Sequence, residues 1–153
     1  MKLICGVMAL ACVPVALAKD NAAYPTEKVA EFVVQKLDVT TLPSSIRPKR
    51  DKGKKTFGDY GFVTRQLDEK EASVETAPGD SQIDIRVLER DSTGIYVCIE
   101  DRKKDASSDP VQHVFLLKLR HNTGLLRGRK SSKEFASCPA IGEMPDSAAD
   151  SVG

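Results

Sequence analysis

Histidine and cysteine are the residue types most often used for metal binding and covalent catalysis, and this chain contains few of them. Among its 153 residues there are two histidines and four cysteines. Zinc sites place such residues at short, regular spacing, for example as two histidines four positions apart on one helix face. Neither His113 nor His121 has a partner at that spacing, and there is no Cys-x-x-Cys motif. We therefore expect no metal site and no cofactor, and we expect His113 to be a hydrogen-bonded core or near-surface residue.

Other catalytic motifs are also missing from the sequence. A serine nucleophile in a Gly-x-Ser-x-Gly elbow does not occur. The glycines at positions 53, 58 and 61 lack the spacing of a phosphate-binding or dinucleotide-binding loop. A carboxylate pair of the glycosidase type is recognised by its separation in space, so the sequence leaves that possibility open. The expectation is a protein without catalytic residues that is not an enzyme.

Residues 1–18 have the pattern of a secretory signal peptide. A single lysine precedes the apolar stretch Leu3 to Ala18, which ends in the small-x-small pattern Ala16-Leu17-Ala18. The stretch is shorter than the roughly 20 residues that span a bilayer, so we expect no stable membrane span. The pattern predicts cleavage after Ala18 and export to the periplasm. Lipidation at Cys12, which would make the protein a lipoprotein, is the alternative.

Export changes how the remaining cysteines are interpreted. Once residues 1–18 are removed, Cys98 and Cys138 are the only two cysteines left. An even number of cysteines in an oxidising compartment is typical of structural disulfides. We therefore predict one disulfide between Cys98 and Cys138.

The hydrophobic pattern predicts an α+β fold. Apolar residues recur every three or four positions in Thr26 to Asp38, as in an amphipathic helix. From Phe62 onward the period becomes two, as in strands. We expect one N-terminal amphipathic helix packed on an antiparallel sheet of five or six strands, with one disulfide. Residues 19–142 would form a single domain, and residues 143–153, rich in Asp, Ser and Ala, a disordered tail. The strands are expected near residues 62–67, 72–76, 83–87, 95–100, 111–120 and 125–130.

Charge is balanced in sum but unevenly distributed. The predicted mature chain has 22 basic and 22 acidic residues, which argues against a nucleic-acid binder because such proteins carry a clear basic excess. The segments Arg47 to Lys55 and Lys118 to Lys133 sum to +5 and +6, whereas Gln66 to Asp91 sums to −5. Opposed patches of this kind favour electrostatically steered recognition of one partner.

In its layout, the chain resembles the small bacterial periplasmic immunity proteins that neutralise secreted cell-wall-degrading effectors. The likeness rests on the leader ending in Ala16-Leu17-Ala18, the 135-residue mature length, the Cys98/Cys138 pair and the β-rich body. Periplasmic lysozyme inhibitors share the same profile. The resemblance implies a protein that blocks a secreted hydrolase by occluding its active site. A periplasmic binder of a small molecule or lipid, with an apolar cavity beneath the helix, and an envelope assembly factor are the alternatives.

Three exposed segments are candidates for contact with such a protein partner: the Arg47 to Tyr60 loop, the Asp91 to Gly94 turn and the Arg102 to Pro110 loop. Basic and aromatic side chains are common anchors in protein interfaces. The expected partner-binding residues are Arg50, Lys54, Lys55, Phe57, Tyr60, Arg102 and Lys103.

Overall fold

The computed structural model describes residues 24–104 and 109–142. The predicted signal peptide, four residues of the predicted Arg102 to Pro110 loop and the predicted tail lie outside these residues. The described chain forms one α-helix, a short 3₁₀ helix (Val39–Thr41) and seven strands. The bounds are α1 Val29–Lys36, β1 Leu37–Asp38, β2 Val63–Leu67, β3 Glu71–Glu75, β4 Ser81–Asp91, β5 Gly94–Lys103, β6 Val111–Arg120 and β7 Leu125–Lys130.

The seven strands form one mixed sheet in the order β1-β7-β6-β5-β4-β3-β2. Strands β2 to β7 follow one another as an antiparallel meander, at the six predicted positions. Strand β1 adds a seventh, parallel strand by pairing Leu37 with Leu126 and Asp38 with Arg127. The prediction of five or six antiparallel strands is therefore wrong in number and in orientation. A two-residue strand has no alternation that a sequence pattern could reveal, because its pairing depends on tertiary contacts alone.

The helix is shorter than the predicted Thr26 to Asp38. Lys28, just before α1, has left-handed backbone geometry with φ 51°, and its N–H donates to Glu69 Oε1 at 3.0 Å. The helix therefore begins at Val29, and it ends at Lys36 because Leu37 and Asp38 pair with β7. Helix α1 contacts β3, β4 and β7. Because β7 lies far from β3 and β4 in the sheet, the sheet has to curl around the helix.

The main core lies between α1 and one face of the sheet, called here the inner face. Val29, Ala30 and Val33 are the buried residues of the helix. The irregular segment between β1 and β2 adds further buried side chains and closes part of the same face. Burial of apolar side chains from both the helix and the sheet is the main contribution to the stability of a domain of this size. The fully buried strand residues of the inner face include Ile83, Ile85, Ile95, Val97, Ile99, Phe115 and Leu117.

His113 is a buried residue on the inner face, as expected. Its Nε2 lies 3.1 Å from the Gly142 carbonyl oxygen. Burial, reinforced by the nearby positive charge of Lys130, lowers the pKa of His113 below its usual value. The imidazole is therefore neutral at neutral pH and serves as a packed core residue.

The predicted disulfide between Cys98 and Cys138 is present. Cys98 points to the opposite, outer face of the sheet, so the bond draws the C-terminal segment across that face. The segment then returns to β6, where Gln112 and Ile141 exchange two backbone hydrogen bonds of 2.9 Å each. Gln112 Nε2 also donates to the Pro139 carbonyl at 2.7 Å. The disulfide thus adds a covalent link to a segment that these hydrogen bonds also hold against β6.

Replacing both cysteines by serine tests this role. The disulfide closes a loop of about 41 residues, so its loss should lower the free energy of unfolding by up to about 4 kcal/mol. In native-state hydrogen exchange, the amides at the centres of β4 and β5 should lose only the protection that the lower global stability removes, while those of Gln112 and Ile141 should lose more. Ser137→Ala, next to the disulfide, is the matched control and should change neither measurement. Uniform loss of protection across the sheet would contradict the local role.

Candidate functional site

The predicted basic loop, defined here as residues 47–61, is held in place by short-range hydrogen bonds. The Tyr60 hydroxyl accepts a hydrogen bond from the Asp51 N–H at 3.1 Å. Asp59 Oδ2 accepts from the Lys55 and Thr56 N–H groups at 2.9 and 2.8 Å, and these bonds lower the pKa of Asp59. The carbonyl of Lys55 accepts from the N–H of Val39, which ties the loop to the 3₁₀ helix. The loop therefore has a defined conformation.

Phe57 anchors the basic loop in the core. It is 1% exposed, and its ring meets the Phe62 ring edge-on with the centroids 5.2 Å apart. Phe57, which was predicted to contact a partner, is therefore not at the surface of the domain. The turn over Thr56 to Gly61 directs the ring inward, because burying a large aromatic side chain is worth several kcal/mol when a core is within reach. The sequence around Phe57 is polar and rich in glycine, and it gave no sign of this contact.

The other predicted loop residues are brought together at the surface. Lys54 pairs with Asp51 at 2.9 Å and lies 5.7 Å from the centre of the Tyr60 ring. Arg50 donates to the Thr40 carbonyl at 3.3 Å. Exposed pairs of this kind contribute little to stability, so both cations stay available to a partner. Within the described residues, three further exposed lysines of the loop form no ion pair: Lys49, Lys52 and Lys55.

Arg102 and Lys103, the two remaining residues predicted to contact a partner, lie on strand β5 and point away from each other. Both were predicted in a loop, but β5 continues through Lys103, and successive residues of a strand point to opposite faces. Arg102 lies on the outer face, where its Nε is 2.6 Å from Glu100 Oε1 and 3.6 Å from Asp84 Oδ2. Lys103 follows the inner-face alternation and lines a pocket.

A second basic surface occupies the outer face of β6 and β7. Lys118 lies directly opposite Arg127 in the register of the two strands. Like charges in directly opposed positions destabilise a sheet. No ion pair neutralises either residue in the part of the chain that the structure describes. The exposed cations of this surface, called here the β6–β7 basic face, are Lys118, Arg120, Arg127 and Arg129.

A pocket of about 410 Å³ opens where the inner face runs beyond the core. We call it the rim pocket. It lies between the ends of β3, β4 and β5 and the segment 44–48, and not beneath α1, where the alternative of a small-molecule or lipid binder would need its cavity. Four apolar side chains contribute to its wall: Ile46, Pro48, Phe62 and Ile83. Its polar side chains are Ser44, Ser45, Arg47, Thr76, Asp80, Ser81, Asp101, Lys103 and Lys104.

Asp101 is the buried acid of the rim pocket. It is 5% exposed, and its Oδ1 accepts one hydrogen bond from the Ser81 hydroxyl at 2.8 Å. Burial raises the pKa of Asp101, although the Ser81 hydrogen bond and the charge of Lys103 act in the opposite direction. Our sequence predictions missed this residue. A signal was present, because Asp101 continues the alternation of Ile95, Val97 and Ile99 and so had to face inward.

Comparison with known proteins gives no relative, since no protein-family model, no curated protein and no solved structure matches this chain. Within residues 24–104 and 109–142, no helix is long and apolar enough to cross a membrane. The same described residues hold no group of three or more His, Cys, Asp or Glu side chains arranged to hold a metal ion. We therefore infer function from the residues and contacts described above.

The raised pKa of Asp101 predicts a specific pH dependence of stability. A carboxyl whose pKa is higher in the folded state than its unfolded value of about 3.9 stabilises the protein below that pH. This contribution is lost as the pH rises through the folded pKa. Asp101→Asn, which keeps an acceptor for Ser81, should therefore be more stable than the wild type near neutral pH and should show a smaller loss of stability from acid to neutral pH. Urea midpoints measured across this range provide the test.

Asp84→Asn is the matched control for this measurement, because Asp84 lies on the outer face of the neighbouring strand. Its stability profile should keep the wild-type slope. If the Asp101→Asn and wild-type profiles run parallel, the assigned effect of burial is wrong.

The free energies of unfolding of two variants compare the contribution of the buried Phe57 ring with that of a hydrogen bond within the loop. Phe57→Ala should lower the free energy of unfolding by about 3–5 kcal/mol, because it leaves a cavity in the core. Tyr60→Phe removes only the acceptor for the Asp51 N–H and should cost about 1 kcal/mol. Chemical denaturation measures both. Equal effects of the two variants would contradict the anchoring role of Phe57.

Proposed function

We propose that the protein is an exported inhibitor, an immunity protein that blocks a secreted cell-wall-degrading enzyme by inserting the basic loop into its active-site cleft. The observation that carries the proposal is the basic loop itself, whose exposed lysines sit on a backbone anchored by Phe57. In this proposal the protein has no catalytic activity of its own. Residues 1–18 act as a signal peptide cleaved after Ala18, or the mature chain is lipidated at Cys12.

The disulfide supports an extracytoplasmic location. Stable disulfides form in oxidising compartments such as the periplasm and are rare in the cytosol. The Cys98–Cys138 bond has no neighbouring thiol in a Cys-x-x-Cys arrangement, so it has the character of a structural rather than a redox-active bond. A secreted cell-wall hydrolase would be met in the same compartment.

Charge complementarity supports the choice of target and of surface. Glycoside hydrolases generally cut with a pair of carboxyl groups on either side of the scissile bond, so their clefts carry negative charge. The lysines at positions 49, 52 and 55 present positive charge that no acid neutralises among the described residues. Opposite potentials on two partners accelerate encounter and fix their orientation.

Order in the free loop supports occlusion as the mechanism. A loop that becomes ordered only on binding pays its conformational entropy at that moment, which weakens the complex. Here the Tyr60–Asp51 and Asp59 hydrogen bonds and the buried Phe57 ring hold the backbone before any partner arrives. The cost of ordering the loop is then part of folding rather than of binding.

The test is co-expression with secreted cell-wall hydrolases, starting with any that is encoded next to the gene of this chain, followed by binding kinetics with the purified proteins. The wild type should protect the cells and form a complex. Replacing Lys49, Lys52 and Lys55 by Gln should slow association by roughly tenfold at low salt and reduce its salt dependence, because steering is lost. A chain lacking residues 2–18 is the export control and should not protect.

The matched control removes the same charge from the β6–β7 basic face by replacing Lys118, Arg127 and Arg129 with Gln. Its association rate should stay within about twofold of the wild type. Charges distant from the contact surface change the association rate less than charges at the contact surface do. The assignment of the basic loop would be refuted by an equal loss in both variants. Absence of both protection and complex formation would refute the inhibitor itself.

A further inference from the structure

The buried carboxyl of Asp101 has less compensation than the other buried acids of the chain. Glu75, which is also buried, is paired with Lys104 and Arg65, and these hydrogen bonds lower its pKa. Buried Asp38 accepts hydrogen bonds from the N–H and the hydroxyl of Thr40. Asp101 has one neutral donor, Ser81, and no ion pair within 4 Å in the described chain. A buried acid in this condition costs free energy unless a further donor or cation reaches it.

The position of Asp101 makes it accessible to such a group. Asp101 pairs with Ile83 across β4 and β5, at the point where the inner face leaves the core and becomes the rim pocket. The next register pair on the same face is Ser81 with Lys103, and both of these residues also line the pocket. The Ser45 hydroxyl in the segment above is buried without a hydrogen-bond partner. The pocket thus contains an acid and a hydroxyl that the fold leaves incompletely satisfied.

The charges around the pocket have a definite arrangement. Two of its charged residues are already engaged, since Asp80 accepts from the Thr76 hydroxyl and Lys104 pairs with Glu75. Lys103 and Arg47 line the pocket and form no ion pair in the described part of the chain. Lys103 is exposed, whereas Asp101 is buried, so positive charge lies nearer to solvent and negative charge lies deeper.

We propose that the rim pocket binds a small zwitterion with an apolar body, of the amino-acid or dipeptide class. The ammonium group of the ligand meets the carboxylate of Asp101, its apolar part packs against Ile46, Phe62 and Ile83, and its carboxylate lies near Lys103 and Arg47. The volume of about 410 Å³ falls in the range of small-ligand sites. The rim pocket shares Arg47 and Pro48 with the basic loop, but binding of a zwitterion there does not depend on the proposed inhibition of a hydrolase.

The probe is the dipeptide leucyl-leucine, with free leucine as the smaller member of its class. Titration of the isotope-labelled full chain near pH 7 should shift the backbone amide resonances of Ser45, Ser81, Asp101 and Lys103, with saturation in the millimolar range. Acetylation of the dipeptide amino group should weaken binding by roughly tenfold or more, because the contact with Asp101 is lost. Conversion of its carboxyl to an amide should weaken binding by a few-fold, because the rim cations are screened by solvent.

Matched variants assign the contacts. Asp101→Asn should weaken binding of the dipeptide by roughly tenfold, and Lys103→Gln by a few-fold. Asp84→Asn removes the same charge from the outer face and should leave the affinity unchanged. Ser81→Ala is a second variant at this site, because it removes the one hydrogen bond that Asp101 accepts. The amide spectra of all variants show whether the fold is retained. Binding should also weaken on acidification, because a protonated Asp101 no longer attracts an ammonium group.

The proposal is overturned if neither leucyl-leucine nor leucine gives saturable shifts at the pocket residues at concentrations up to about 10 mM, which corresponds to a binding free energy weaker than about −3 kcal/mol. It is also overturned if the acetylated dipeptide or the amide binds as well as the zwitterion, or if Asp101→Asn binds as well as the wild type. Hydrolase inhibition by Asp101→Asn should equal that of the wild type, which separates the two proposals.

Discussion

Burial of Phe57 is the contact on which the core and the basic loop both depend. The curled sheet offers an inner face that the eight-residue helix α1 covers only in part, so the segment between β1 and β2 must supply the remaining cover. Phe57 is the largest fully buried side chain of that segment. By entering the core, its ring brings a strongly cationic stretch of chain against the domain. The stretch then keeps its charged side chains in water while its backbone is held.

The same constraint explains why some features could be predicted from sequence and others could not. Strands β4 and β5 are long, and their buried residues Ile83, Ile85, Ile95, Val97 and Ile99 alternate with polar or outward-facing ones, so a local pattern was sufficient to predict them. The disulfide was predicted from the number of cysteines and from the expected export of the chain. Strand β1 and the burial of Phe57 depend on contacts between residues far apart in the chain, and neither leaves a local periodicity. The burial of Asp101 could have been predicted, because the alternation of β5 directs its side chain inward. It was missed because aspartate is usually exposed.

Charge segregation in this protein is a property of the folded surface as well as of the sequence. On the outer face of β3 to β5, acids and bases alternate and neutralise each other, as in the pairs Glu71–Arg86 and Arg102–Glu100. The basic loop and the β6–β7 basic face keep cations that no acid neutralises in the described chain. Exposed ion pairs add little stability, so the folding free energy depends little on this distribution, apart from the cost of the directly opposed Lys118 and Arg127. Its consequence is an electric field outside the molecule, which acts on binding partners rather than on the fold.

Asp101 is the case in which charge does affect folding, because it is buried. The inner face could have continued with an apolar residue at this position, which would have extended the core and closed the rim pocket from below. An acid instead requires a donor, and Ser81 supplies only one hydrogen bond, so the carboxyl is left less stable than it would be in water. The cost is tolerable because the disulfide and the long strands β4 and β5 stabilise the domain elsewhere. Because the domain is stable without a fully hydrogen-bonded Asp101, the carboxylate can remain partly unpaired in the free protein. A ligand that donates hydrogen bonds to it then gains binding energy.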